Sequence, residues 1–258
     1  MKKVCIFLFS GTGMTRYVIR RLSAALEARQ AQADVFEIET PQSRKTPIQD
    51  YDIVGIAYPV HSLNAPKIVV DFIKGLPDAE RKEAFVICTA GSGSKVNSAS
   101  RDLPISMLRK KGFLVNYEKE FLMPSNFIVK DGEGMVREKL EKACLEIPEA
   151  ADGILDAAAG MSKPGFFVKL AALAGRVEWL GTRFIKLYSD SKCDGCGLCA
   201  KKCPNQNIRI EAGAAAFKWD CGLCMRCLYL CPKHAVHVRF PLKFIAFGEW
   251  YENDEFRL

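Results

Sequence analysis

The stretch VCIFLFSGTGMT, from Val4 to Thr15, runs through six apolar residues and then breaks into glycines and hydroxyls. An apolar run of that length, bounded by turn residues, suits a strand covered on both faces of a sheet. Downstream, Tyr17, Val18, Leu22, Ala25 and Leu26 repeat at helical spacing, so 15–28 reads as a helix. The connecting loop, Ser10-Gly11-Thr12-Gly13-Met14-Thr15, places hydroxyls and backbone N–H groups at a helix N-terminus, an anion site suited to a phosphate. It is not a G-x-G-x-x-G fingerprint, and no Gly-Lys-Ser/Thr follows as in a Walker loop. The two lysines and short apolar run at the start read as a first strand and not as a signal peptide, for want of a long apolar region and a cleavage site.

Outward from this unit the alternation continues. Residues 33–38, 53–58, 85–90 and 113–120 read as further strands, and 66–74 and 96–111 as helices between them. A last helix over 135–159 is expected to be interrupted at Pro148. The pattern predicts an α/β fold, a doubly wound five-stranded parallel sheet with helices on both faces. Ligands of such sheets sit beyond the carboxyl ends of the strands. Two more loops follow strand ends on that edge: Tyr58, Pro59, Val60, His61 and Asn64 after the third strand, and Thr89, Ala90, Gly91 and Gly93 after the fourth. One loop for a phosphate and two to flank a ring suit a flavin mononucleotide.

The chain has 258 residues and eleven cysteines, eight of them between Cys193 and Cys231. The first set is Cys193-x2-Cys196-x2-Cys199-x3-Cys203-Pro204, and the second, Cys221-x2-Cys224-x2-Cys227-x3-Cys231-Pro232, repeats it at a constant offset of 28. The offset runs on, pairing Ile208 with Val236 and Ile210 with Val238, so one structural unit is duplicated. Three thiolates on a tight loop surround one 4Fe–4S cubane, and the fourth, placed at the start of a short helix, serves the other cluster. Cys193, Cys196, Cys199 and Cys231 are therefore assigned to one cluster, and Cys221, Cys224, Cys227 and Cys203 to the second. Zinc modules use paired CxxC units a dozen or more residues apart, which this spacing is not. Gly195, Gly197, Ala200 and Gly222 leave room for backbone N–H donors to sulfur, and Leu198, Leu223, Ile208, Val236 and Leu228 are candidates to shield the clusters. Cys5, Cys88 and Cys144 read as buried small hydrophobes.

Residues 190–240 resemble bacterial-type two-cluster ferredoxins, and residues 1–130 resemble a flavodoxin-type domain whose Ser/Thr-x-Thr-Gly-x-Thr phosphate loop is matched by Ser10–Thr15. The whole chain resembles the EFR1-type flavodoxin–ferredoxin fusion proteins. Met14 stands where that family commonly carries asparagine, keeping the backbone N–H and losing a side-chain contact. Tyr-Pro-Val at 58–60 and Met-Pro-Ser-Asn at 123–126 also look like family elements. The resemblance implies that residues 58–66 and 89–94 flank the isoalloxazine. Neither loop has a tryptophan to stack on it, which leaves Tyr58, unless buried at the strand end, and His61, with Asn126 as a further contact.

The division expected is a flavodoxin-like domain at 1–160, a helical basic and aromatic connector at 161–190 and a two-cluster domain with an aromatic tail at 191–258. Lys and Arg total 37 against 30 Asp and Glu, and six of the seven excess positive charges fall after residue 160. Two four-iron sites of roughly −2 each offset most of that excess. The basic balance thus speaks for cluster compensation rather than nucleic-acid binding, and no DNA- or RNA-binding pattern accompanies it. No run of 18 apolar residues indicates a membrane span. The connector suits packing between the domains, with contact at a membrane surface as the other reading.

These readings converge on an electron-transfer iron–sulfur flavoprotein of a reducing cytoplasm. It would pass electrons between its clusters and FMN, and to or from a redox partner protein or low-potential carrier. The alternative is an FMN-dependent reductase of a quinone, nitro compound or enone, fed by its own clusters.

Overall fold

The computed structural model describes residues 1–61, 63–93, 97, 99–125, 131–157 and 187–238. The larger unit alternates β1 (Lys3–Leu8), α1 (Met14–Glu27), β2 (Gln32–Glu37), α2 (Pro41–Lys45), a 3-10 turn (Ile48–Asp50), β3 (Ile53–Pro59), α3 (Lys67–Gly75), β4 (Glu83–Ala90), α4 (Ala99–Lys110), β5 (Leu114–Leu122) and α5 (Glu133–Leu155). All five strands pair in parallel in the order β2-β1-β3-β4-β5. That order is the flavodoxin-like arrangement, with its switch point between β1 and β3.

Alternation along β1 sorts its side chains onto two cores. Val4, Ile6 and Leu8 join Leu22 and Leu26 of α1 and Ile147 and Ile154 of α5 on one face. Cys5 and Phe7 join Val69 and Phe72 of α3 and Leu108 of α4 on the other. Phe7 meets Phe72 with ring centroids 4.9 Å apart, within the favourable range for aromatic pairs. A strand buried on both faces needs continuous apolar sequence, which is why β1, β3 and β4 are so apolar.

Helix α5 is continuous through Pro148, not interrupted there. Its inward residues Ala143, Ile147, Ala150, Ala151 and Ile154 keep one phase across the proline, and their packing outweighs the lost hydrogen bond. Cys144 lies one residue round from that face and is exposed, with the Tyr17 hydroxyl 3.5 Å from its sulfur, so it is not buried as expected. Cys5 and Cys88 are buried.

The smaller unit comprises β6 (Leu187–Ser189), α6 (Leu198–Lys201), β7 (Ile208–Glu211), β8 (Ala214–Phe217), α7 (Arg226–Leu230) and β9 (Val236–Val238). β7 and β8 form a hairpin across Ala212 and Gly213, both at positive φ, as a two-residue turn of this hand requires. β6 pairs with β9, so residues 187–189 belong with this unit and not with the connector. The connector's residues 161–186 and the aromatic tail from 239 lie outside the described residues, as do Ser62, Ser94 and Asn126. Each half runs strand, cysteine loop, short helix and strand. The helix carries the third cysteine of each set, Cys199 or Cys227, and Cys203 and Cys231 follow it instead of starting it.

Gly55 of β3 faces the Phe85 ring so closely that an added Cβ would stand 2.2 Å from it. Gly55→Ala is expected to overpack this face and lower stability by about 1–3 kcal/mol, read by chemical denaturation.

Candidate functional site

The loop after β1 is built around Ser10. Its buried hydroxyl oxygen accepts the Gly13 N–H at 3.2 Å and the Arg16 N–H at 3.4 Å. Gly13 starts α1 at φ 99, a conformation glycine adopts without penalty. The N–H groups of Met14 and Thr15 are left with no acceptor among the described residues, as the first turn of a helix leaves its N–H groups. The Met14 side chain is turned into the core, so that residue offers the site only its backbone.

Hydrogen bonds draw the other two predicted loops to this one. The Thr15 and Thr89 hydroxyls lie 2.8 Å apart, and Thr89 O accepts the Val60 N–H at 2.8 Å. His61 and Asn64 exchange backbone hydrogen bonds of 2.9 and 2.8 Å and close a turn after Pro59. The His61 ring stands edge-on to Phe9 at 6.5 Å between centroids. Atoms packed around the ring desolvate it and push its pKa down to about 4, although part of its surface stays accessible. Ala90 O accepts the Met123 N–H, and Gly91 O accepts the Lys139 ammonium at 2.6 Å. Gly93 packs against the Leu122 side chain, with 3.0 Å between an added Cβ and the Leu122 Cδ1.

Tyr58 does not line the site. Its ring is fully buried among the α3 and α4 core residues and its hydroxyl donates to Ser100 O at 3.1 Å. Because Tyr58 alternates with Pro59 at the strand end, its position is the one a strand's period of two dictates.

Several polar residues here escape sequence inspection. Lys139 of α5 pairs with Asp131 at 2.6 Å, and Asp131 also accepts the Ser125 N–H. Arg101 of α4 lies buried between Glu118, Glu120 and Cys88, at 3.5, 3.1 and 3.4 Å. Burial, opposed by Arg101, pushes the Glu120 carboxyl upward. Such groups announce themselves only through contacts made far apart in sequence.

In the smaller unit one cavity is lined by Cys203, Cys221, Cys224 and Cys227, with Leu187, Ile208 and Phe217 around them. The fourth cysteine of the first set thus joins the first three of the second. Cys199 correspondingly stands in the electrostatic company of Cys193, Cys196 and Cys231. Among the described residues no three His, Cys, Asp or Glu side chains come close enough to hold a single metal ion. Burial first, then neighbouring thiols, push Cys221 up to about 12. Crowded thiols of this kind release their protons when a metal centre takes them. The Asn207 N–H donates to Cys203 Sγ and the Ala235 N–H to Cys231 Sγ, each at 3.3 Å and again 28 residues apart. Gly195 and Gly197 hold positive φ values of 69 and 76, and their counterparts Leu223 and Met225 take 47 and 58 without being glycine.

The two units meet at the loop and the second cysteine set. A Cβ on Gly11 would lie 2.4 Å from Cys224 O, so only glycine permits this approach. Arg226 bridges the seam: its guanidinium donates to Ser10 O at 2.6 Å, pairs with Glu39 at 2.6 Å and donates to Lys202 O at 3.1 Å.

Comparison with known proteins matches residues 185–232 to the 4Fe-4S dicluster domain family. A 64-residue stretch is 34% identical to the DNA-directed RNA polymerase subunit Rpo3 of Methanosarcina mazei, covering 23% of this chain and 24% of that protein. Among solved structures, oxidised flavodoxin 2 from Bacillus cereus is 15% identical, covering 60% of this chain and 99% of its own at a TM-score of 0.45. Megasphaera elsdenii flavodoxin is 22% identical over 58% and 97% of the two chains at 0.42. The rubredoxin oxygen:oxidoreductase of Desulfovibrio gigas is 14% identical over 61% and 37% at 0.45. Among the described residues no helix is long and apolar enough to cross a membrane.

The low pKa of His61 has a defined consequence. Between pH 6.5 and about 4 the unfolded chain binds a proton on this ring that the folded chain does not, so stability falls as pH drops through that window. The slope is at most about 1.4 kcal/mol per pH unit. Denaturation midpoints measured across pH 4–7 are expected to show this slope in the native chain and lose it in His61→Asn.

Proposed function

We propose that this chain is an electron-transfer iron–sulfur flavoprotein that carries two 4Fe–4S clusters and FMN and exchanges electrons with a redox protein or low-potential carrier in a reducing compartment. The observation that carries the reading is the seam, where the loop suited to a phosphate lies in backbone contact with a cysteine of the duplicated set. A flavin exchanges one or two electrons and a cluster one, so the pair joins one-electron to two-electron chemistry.

The residues fit these groups. The Met14 and Thr15 N–H groups and the N-terminus of α1 would receive the phosphate, with Thr12 and the Ser10 hydroxyl beside it. The loops at 58–64 and 89–93 would border the ring, Thr15 and Thr89 holding them in register through their hydroxyl pair. His61, kept neutral by its surroundings, presents an uncharged imidazole on that side. Cys203, Cys221, Cys224 and Cys227 would hold one cluster, and Cys193, Cys196, Cys199 and Cys231 the other. Zinc would require its thiolates gathered at about 2.3 Å around one ion. The spread of the thiols around a cavity suits a larger inorganic core. Leu187, Ile208, Phe217 and Met225 give that cavity apolar walls, and Leu223 and Leu228 pack in the same core.

Protein prepared anaerobically is expected to bind iron and sulfide for two four-iron clusters and one FMN per chain, seen in its absorbance spectrum and by quantifying each component. Colourless protein, or brown protein releasing no flavin on acid treatment, refutes the reading. Cys203→Ala is expected to lose the cluster of Cys221, Cys224 and Cys227 while keeping that of its own sequence neighbours. Turnover of a quinone, nitro compound or enone by the isolated reduced protein would instead identify a reductase.

A further inference from the structure

The duplication puts Cys196 and Cys224 at equivalent positions, 28 residues apart, yet their surroundings are opposite. Cys196 is exposed, whereas Cys224 packs against the α3 and α4 side of the larger unit and touches Gly11 through its carbonyl. The same offset places Leu198 opposite Arg226. At the copy facing the larger unit, a leucine position of the repeat is thus occupied by a buried guanidinium.

Everything around Arg226 points to a role at the seam. Its side chain is 6% exposed and its partner Glu39 15%. It reaches Ser10 O on the loop, Lys202 O beside Cys203 and Glu39 beyond β2, tying both cysteine sets and the loop to one planar group. Its backbone N–H donates to Cys224 Sγ. Its guanidinium carbon is 5.8 Å from the Phe9 ring centroid, and His61 lies on the other contact of that ring. The chain Cys224–Arg226–Phe9–His61 therefore leads from the second cysteine set to the loop after β3.

We propose that Arg226 is a positioning residue that clamps the second cluster onto the loop as the flavin-proximal relay, leaving the first cluster, at exposed Cys196, as the port for the external carrier. This rests on the function proposed above. With the groups bound, inward flow would oxidise a one-electron carrier at the first cluster, whose electron would pass to the second cluster and then to the flavin. Two such deliveries, with protons from water, would complete the flavin's reduction, and outward flow would retrace the same order.

The test compares the holoprotein with Arg226→Leu, which installs the residue of the other repeat, and with Arg226→Lys. Iron and flavin content are measured first, because a native chain without them refutes the function and the relay with it, whereas a loaded native chain lets the variants test the clamp alone. In Arg226→Leu, amide deuterium exchange across 10–15 is expected to quicken at least tenfold. Flavin reduction after a pulse of photoreduced methyl viologen is expected to slow by a similar factor. The second cluster's redox equilibrium is expected to shift tenfold toward the oxidised form, or 59 mV for one electron, with the first cluster unmoved. Arg226→Lys should recover part of each change. Should Arg226→Leu fail to assemble the second cluster, Glu39→Gln, which touches no cysteine, carries the exchange and flavin-reduction measurements. Unchanged exchange and reduction rates in a fully loaded variant, or a potential shift at the first cluster in place of the second, overturn the proposal.

Discussion

The close approach of Gly11 to the Cys224 carbonyl is the constraint on which the rest of the arrangement depends. It demands a residue without a side chain at the second position of a loop whose other residues must begin a helix. It also demands that the smaller unit arrive with one cysteine loop turned inward and the other turned out. The parallel sheet supplies the first half of this condition. With β1 at its switch point, the loop after β1 emerges at the carboxyl edge where α1 begins, so its backbone N–H groups and the incoming cysteine loop share one region. The seam joins elements more than 200 residues apart in sequence, as the Arg226 to Ser10 hydrogen bond shows.

Duplication explains the smaller unit, and departures from it explain how that unit is used. The donors to Cys203 and Cys231, the paired strands and the left-handed residues all recur at the same offset. Where the copies differ, the second pays a local cost, placing Leu223 and Met225 in backbone conformations that glycine fills in the first. Leu223 and Met225 are both buried in the unit's own core, and the burial of those larger side chains offsets strain that Gly195 and Gly197 avoid. The copy against the larger unit is thus the more apolar and the more enclosed, while the first keeps small residues and an exposed cysteine.

How much of this is readable from sequence follows from how local each signal is. The strands of the sheet, the glycine-containing turn between β1 and α1 and the cysteine spacing are patterns within a dozen residues, and the structure carries them where periodicity puts them. Pro148 misleads because a proline's cost is local whereas the packing of α5 on α1 that overrides it is not. Tyr58 illustrates the limit of reading a loop by residue type, since one step along a strand moves a side chain from the edge into the core. Arg101, Lys139 and Glu39 give no sequence signal at all, because each is defined by a partner elsewhere in the chain. Arg226 is different, for the repeat itself marks it: aligning the two cysteine sets sets a charge against Leu198.

Placing a charge at that seam has a physical logic that an apolar contact would lack. A buried ion pair costs desolvation on both sides and contributes little net stability, so it is a poor choice for adhesion alone. Its geometry, however, is directional. A guanidinium offers its N–H groups in a fixed plane, and here they meet a carboxylate and two backbone carbonyls contributed by three separate segments. An apolar side chain would tolerate sliding of one unit over the other, whereas this constellation loses its partners as soon as the register shifts, leaving an uncompensated buried charge. For the redox groups proposed above, a repeatable separation matters more than a strong contact, and a contact tied to three separate segments would favour it.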